Sequence, residues 1–347
     1  MHNLTKNIGT SNVNENAATG GYPEIKRILI CRPNRRLGNL LLITPILQEV
    51  IQTFPHSKID LFVNGNQASE IFKNYENINC MVQLPGKPMK HLKKYIQGWI
   101  SIVKQPYDLV INVIQDSSSG RLCTQFANSK YKFFGDDSTG PHRQSEREKH
   151  IAKYPIYNFR NYLKELGYRV THNAIPKVRL NLTPLEISWG KKKLHDLVNN
   201  ERPTISLFTY ATGNKCYSES WWKTFYDRLK KEYPNHNIIE ILPVENVSKL
   251  SFGAPSFYSK GIREIGSVIA NTQLFIGADS GIMHLASAVQ TPTVGLFSVT
   301  DENVYQPYDN NSAGINTNRI AIDEWIKVLD KILYDKDFVR HQSVANG

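Results

Sequence analysis

From Arg27 the chain runs through an apolar strand, RILIC, a polar loop, PNRRLGN, an apolar helical stretch from Leu40 to Phe54 stopped by Pro55, and a second strand, KIDLFVNG, ending at Gly65. A strand, a helix and a strand this close together form a crossover, and a crossover joins parallel neighbours. Parallel strands are covered on both faces, so they read as continuous apolar runs. YDLVINVI, ending at Ile114 before the polar turn QDSSSG, is another such run. The alternation restarts near residue 203. PTISLFTY, NIIEILP, LFIGA and TVGLF read as strands, and WWKTFYDRLKKEY, GIREIGSVIANT and GIMHLASAV as the helices between them. This order predicts an α/β protein of two Rossmann-like, doubly wound lobes.

The expected boundaries follow. Residues 1–24, rich in Asn, Gly and Thr, read as a flexible leader, and 25–180 as the N-terminal, acceptor-side lobe. Residues 181–202, with Pro184, a charged helix and Pro203 just after, read as the connector. Residues 203–335 form the C-terminal, nucleotide-sugar-binding lobe, and 336–347 a flexible tail. A chain of 347 residues suits two domains of ordinary size. No apolar run approaches the ~18 residues of a membrane helix, and no apolar core follows the first lysine as in a secretory signal. A cytoplasmic protein is expected. Cys31, Cys80, Cys123 and Cys216 are spread without a CxxC pair, which fits neither a disulfide framework nor a zinc site.

Lys and Arg total 42 against 31 acidic residues, a formal charge of +11. A basic surface favours anionic partners, whether nucleic acid, acidic headgroups or phosphorylated small molecules. No zinc finger, RRM signature or basic heptad accompanies the charge, so no nucleic-acid partner is expected.

In doubly wound lobes the chemistry sits in loops after the strands, and two such lobes are expected to face a central cleft. The sharpest of these loops is IGADSGIMHLASAV. A strand ends at Ala278, Asp279-Ser280-Gly281 turns, and Ile282, Leu285, Ala286 and Val289 mark the apolar face of a helix. Backbone N–H groups of Ser280, Gly281 and Ile282 at the positive helix end suit a diphosphate. His284 falls one turn in, off the apolar stripe. The plainer alternative is an N-cap Asp before an ordinary helix with one incidental His. Residues 277–281 also have the spacing of a nucleophile elbow, but a convincing downstream His is lacking, since His341 lies in the expected tail, and a hydrolase is rejected.

DSGxxHLAxAxxTPxVxLFxxTD resembles the signature of glycosyltransferase family 9, the heptosyltransferases. LGNLLLITPIL resembles the first βα unit of that family, usually written GDxLxxTPxL. FTYATGNKCYSESWW resembles the segment in which a Lys precedes a Trp at the start of the second lobe. The three matches span roughly residues 27 to 308. The resemblance implies the GT-B fold, with the sugar nucleotide held mainly by the C-terminal lobe. Asp279 would then bond donor-sugar hydroxyls, Ser280, Gly281 and His284 would line the donor site, and Lys215 would meet charge building on the leaving phosphate. A cation and a helix N-terminus can stabilise a departing diphosphate without a metal. The alternative for Lys215 is a solvated loop lysine. Glu245, after NIIEILP, is a candidate ribose partner.

Asn39 is the main departure. The family usually carries Asp there, taken as the base for the acceptor hydroxyl, and an amide cannot do general-base work. Asp116, after YDLVINVI, is the replacement candidate; a turn Asp capping the Ser-rich segment is its equal competitor. Arg35, Arg36 and Gly38 on the first loop are candidates for acceptor or donor phosphate, with plain surface arginines as the alternative. Asp335-Lys336-Asp337 has DxD spacing but sits at the chain's end, so no essential metal and no cofactor are expected. Lys87 to Lys104 combines five lysines with Leu92, Ile96, Trp99, Ile100 and Val103. Packing on its own sheet is the favoured reading, and contact with the inner membrane the weaker one. His142, Arg143, Arg147 and Lys149 can meet a phosphorylated glycan or merely water.

The resemblance therefore implies an inverting, metal-independent glycosyltransferase. ADP-heptose is the first donor to test, and a bacterial surface glycan such as lipopolysaccharide core, or a lipid-linked acceptor, is the first acceptor. A different nucleotide sugar, or a nucleotide-sugar-binding protein that lost turnover with Asn39, are the alternatives.

Overall fold

The apolar runs become strands buried on both faces. In β1 (Arg27–Arg32) every residue after Arg27 is buried, and β6 (Thr204–Phe208), β9 (Leu274–Ala278) and β10 (Thr293–Phe297) are buried throughout. The structure, a computed structural model, describes residues 8–13, 23–85, 88–135, 149–170 and 173–334. The chain divides into two units, Met1–Val178 and Arg179–Gly347.

The first unit holds one parallel sheet. With β2 (Lys58–Asn64), β3 (Ile78–Leu84), β4 (Tyr107–Asn112) and β5 (Ser129–Phe133), its order is β3-β2-β1-β4-β5. The second sheet adds β7 (Asn237–Ile241), β8 (Ser256–Phe257) and β11 (Ala313–Asn316) in the order β11-β10-β9-β6-β7-β8, also parallel. In each unit the first strand lies between the second and the fourth, which is the Rossmann order. The chain reverses direction across the sheet between β1 and β4, and again between β6 and β9. Loops leaving those strand pairs open onto one crevice in each unit. This is the two-lobed α/β architecture of the GT-B fold.

Each sheet is closed by helices. Trp222, Phe225 and Leu229 of the helix Glu219–Glu232 pack with Ile205, Leu274 and Ile276, and Trp325 and Leu329 of the helix Ile322–Tyr334 join the same cluster. In the first unit Leu29, Phe62, Val110 and Cys123 form the core with Ile102.

Three local readings change. The helix expected from Leu40 to Phe54 is two, Leu37–Leu41 and Thr44–Thr53. Pro45 has no N–H to bond the Leu41 carbonyl and its ring crowds it; the Thr44 hydroxyl donates to that carbonyl instead, at 2.7 Å. Residues 181–202 contain the helix Pro184–Val198, opened by a capping box of Thr183 and Glu186 and packed within the second unit on the helix Ile262–Ile269. The approach is close enough that a Cβ on Gly190 would stand 2.1 Å from the Ser267 carbonyl oxygen. Residues 8–13, placed in the leader, run beside β5: Asn12 donates from its amide to Lys130 and accepts from the Lys132 N–H, while Arg121 donates to the carbonyls of Ile8 and Gly9. Two of the separated cysteines also meet in space. Cys31 and Cys123, both buried free thiols, place their sulfurs 2.9 Å apart.

Candidate active site at the switch point of the second unit

β6 and β9 are hydrogen-bonded neighbours, so the loops that leave them emerge side by side. The β9 loop is Asp279-Ser280, and the helix Gly281–Ala288 follows at once. Asp279 is buried, at 6% exposure, and its N–H donates to the Leu296 carbonyl of β10. Ser280, not Asp279, caps the helix: extended at φ −152°, it accepts the Met283 N–H on its hydroxyl oxygen. That leaves the Asp279 carboxylate aimed elsewhere. The remaining first-turn N–H groups have no partner within a helix, and Ser280, Gly281 and Ile282 are only half-buried. His284 lies one turn deeper and is buried.

The β6 loop brings the cation. After Phe208 the chain passes through Gly213, left-handed at φ +64°, into the single turn Gly213–Lys215. This turn carries Lys215 to Asp279, Nζ to Oδ2 at 2.5 Å, with the lysine side chain one-third exposed. The same carboxylate oxygen accepts the Thr300 hydroxyl at 2.5 Å. The Lys215 ammonium also lies 6.0 Å from the centre of the Tyr305 ring. An ammonium, a carboxylate and a helix N-terminus therefore meet at one place in the second unit. Together they can neutralise an anion and accept from hydroxyls.

Glu245 does not join this cluster as a buried partner, since its side chain is exposed on the loop after β7. The strand's own acid, Glu240, is fully buried and ties the loops together. It accepts from the Thr209 and Ser248 hydroxyls, each at 2.5 Å, and Thr209 accepts the Lys249 N–H. Sequence reasoning missed Thr300, Tyr305 and Glu240. The first stands inside the quoted LFxxTD block, so a signal for it existed; the other two stand in no motif.

In the first unit β1 and β4 are the neighbouring strands whose loops emerge side by side. The loop after β1 carries Arg35 and Arg36, both exposed, then buried Gly38 and half-buried Asn39 in the helix Leu37–Leu41. The Asn34 side chain accepts the Arg36 N–H. Asp116 is exposed in the turn after β4. It does not cap the next helix, Ser118–Phe126; Ser117 does. Buried Asn112 holds this turn, donating from its amide to the Ile114 and Phe134 carbonyls. The Val113 N–H donates to the Cys31 carbonyl and ties the two loops at the switch point. Lys149 is exposed, and His142, Arg143, Arg147, Asp335, Asp337 and His341 lie outside the described residues. Among the described residues no helix is long and apolar enough to cross a membrane.

The two units have the GT-B architecture, and the second carries a site able to take an anion beside a helix N-terminus. Residues 260–324, which hold Asp279, Ser280 and Gly281, match the sequence model of glycosyltransferase family 9 (heptosyltransferase). The chain is 23% identical over 297 residues to lipopolysaccharide heptosyltransferase 3 of Escherichia coli, covering 79% of this chain and 84% of that one. Among solved structures it resembles the family 9 glycosyl transferase of Veillonella parvula (TM-score 0.69, 16% identity, 91% of this chain and 99% of that one). It also resembles the E. coli heptosyltransferase WaaC with ADP (TM-score 0.62, 16% identity, 88% and 99%). The resemblance read from DSGIMH is thereby shown, and the protein is a glycosyltransferase related to family 9.

Proposed function

We propose that the protein transfers a sugar from a nucleoside diphosphate to a hydroxyl of a lipopolysaccharide-core glycan, with inversion and without a metal, in the cytoplasm at the inner membrane. The observation that carries this reading is the Lys215–Asp279 pair beside the N-terminus of Gly281–Ala288. ADP-heptose is the first donor, by analogy with the heptosyltransferases named above.

In this reading the N–H groups of Ser280, Gly281 and Ile282 take the diphosphate, and the Ser280 hydroxyl keeps its own hydrogen to donate. The Lys215 ammonium turns from Asp279 to the leaving phosphate as charge develops there. Asp279, still held by Thr300, is freed to accept from sugar hydroxyls. Interactions that strengthen only as the bond breaks are the ones that raise the rate. On the acceptor side Asn39 orients the attacking hydroxyl and Asp116 takes its proton. Arg35 and Arg36, with Gly38 beneath them, meet phosphate on the acceptor core, and Glu245 bonds the donor ribose from its loop.

The test is product formation from ADP-heptose and a heptose-deficient lipopolysaccharide core, with and without EDTA. Transfer that survives EDTA, falls at least a hundredfold in Asp116→Ala and leaves ADP affinity intact supports the whole reading. Transfer gained only in Asn39→Asp would identify the native chain as a nucleotide-sugar-binding protein. Loss of transfer on EDTA treatment would remove metal independence. Transfer from another sugar nucleotide alone would change the donor.

A further inference from the structure

The helix Leu92–Lys104 carries more apolar surface than its packing uses. Toward the sheet it buries Ile102 and lays Tyr95 and Trp99 against the core that contains Phe62 and Leu84. Gly98 lets it come close, since a Cβ there would stand 3.0 Å from Leu84. Its other apolar residues are in water: Leu92 is 53% exposed, Ile96 47%, Ile100 45% and Val103 45%. At 3.6 residues per turn these four occupy one stripe about 80° wide. Met89, just before the helix, is 89% exposed. The expectation that this segment simply packs on its sheet thus accounts for only part of its apolar surface.

The charges around the stripe are of one sign. Lys93 and Lys104 border it, Lys90 and Lys94 stand close in sequence, and no carboxylate occurs between Glu76 and Asp108. A helix that merely closes a sheet presents a polar outer face. A second protein would have to supply both an apolar groove and a rim of carboxylates. An anionic bilayer supplies an apolar layer beneath a negative surface at every point.

We propose that this face docks the protein on an anionic lipid bilayer, with Leu92, Ile96, Ile100, Val103 and Met89 entering below the headgroups. The lysine stems lie along the boundary and their ammonium groups reach anionic headgroups. The helix runs back from β3, the sheet's edge strand, so its amino end lies at the edge of the sheet from which the β1 and β4 loops emerge. Docking would therefore hold Arg35, Arg36 and Asp116 near the membrane plane. That last consequence rests on the proposed function; the docking itself does not.

The experiment is co-sedimentation of the full chain with phosphatidylcholine vesicles, with and without phosphatidylglycerol, at low and high salt, with no donor or acceptor present. The chain should bind only the phosphatidylglycerol vesicles and release them as salt rises. Ile96→Asp with Ile100→Asp should weaken binding at least tenfold at an unchanged melting temperature, both side chains being exposed. Lys93→Gln and Lys104→Gln should each cost about fivefold. If the aspartate pair unfolds the chain, Ile96→Gln with Ile100→Gln makes the same test. Binding that the Ile96 and Ile100 variants leave unchanged overturns the proposal, as does no binding. So does lipid-free self-association that Ile100→Asp abolishes, since a second copy would then own the face. A failed vesicle assay leaves glycosyl transfer, measured with soluble core, untouched.

Discussion

Asp279 receives an ammonium and a hydroxyl on the same oxygen, Oδ2, each at 2.5 Å. Two donors on one oxygen hold the carboxylate firmly, and in the proposed function Lys215 rests there until it turns to the leaving phosphate. Replacing Lys215 by Met keeps most of the side-chain bulk and removes the charge, so turnover should fall by about 10²–10³-fold, as for loss of one preorganised donor to a developing anion. Thr300→Val removes only an orienting bond and should cost less. Steady-state transfer rates check both; equal losses in the two variants would contradict the leaving-group role of Lys215. A different residue tests the first unit. A Cβ at position 120 would stand 2.1 Å from the Asn112 side-chain oxygen, and Asn112 is the clamp on the turn that bears Asp116. Gly120→Ala should destabilise the protein by about 1–3 kcal/mol and lower its melting temperature by a few degrees. An unchanged melting curve would show that the clamp yields freely.

Between elements, the contact of Pro184–Val198 with Ile262–Ile269 is fastened by Glu186 and Arg263, joined at 2.5 Å. The Arg263 guanidinium, helped by the Thr183 N–H and hydroxyl, holds the Glu186 carboxyl down at about 2 from an ordinary 4.5. The folded state thus binds this proton more weakly than the unfolded chain does. The stabilisation is complete above about pH 4.5 and is lost as pH falls through about 2. Glu186→Gln should lower the melting temperature at neutral pH and narrow its gap to the native protein as the pH approaches 2. A constant gap would mean the pair contributes nothing. The elements themselves were largely legible, because RILIC, TISLF, LFIGA and TVGLF are apolar runs that only a strand covered on both faces can bury. β8, with two residues, and β11, reading AGIN, carry no such signal and exist because neighbouring strands offer them hydrogen bonds. The turn Asp279-Ser280-Gly281 was legible from local chemistry. Its contact with Thr300 was not, for that contact depends on where the chain goes after β10. Likewise Lys215 lies 64 residues from Asp279 and meets it only because β6 and β9 are neighbours.

For the whole molecule, a charge of +11 leaves the partner open among several anions, and the structure narrows the choice locally. One basic surface flanks an exposed apolar stripe in the first unit, and one ammonium stands at a helix N-terminus in the second. A lipid surface suits the former and a diphosphate the latter, whereas neither is the extended basic groove that follows a nucleic-acid backbone. The central claim is that Lys215, Asp279 and the Gly281 helix form a nucleoside-diphosphate site. It is tested most directly by the melting temperature of the native chain and of Lys215→Met against ADP, UDP, GDP and TDP and their sugars. A ligand at ~100 times its dissociation constant adds about 2.7 kcal/mol, a shift of several degrees. The account predicts a rise with ADP and ADP-heptose in the native protein and a much smaller rise in Lys215→Met. A rise with none of the nucleotides, or one that Lys215→Met leaves intact, would contradict it.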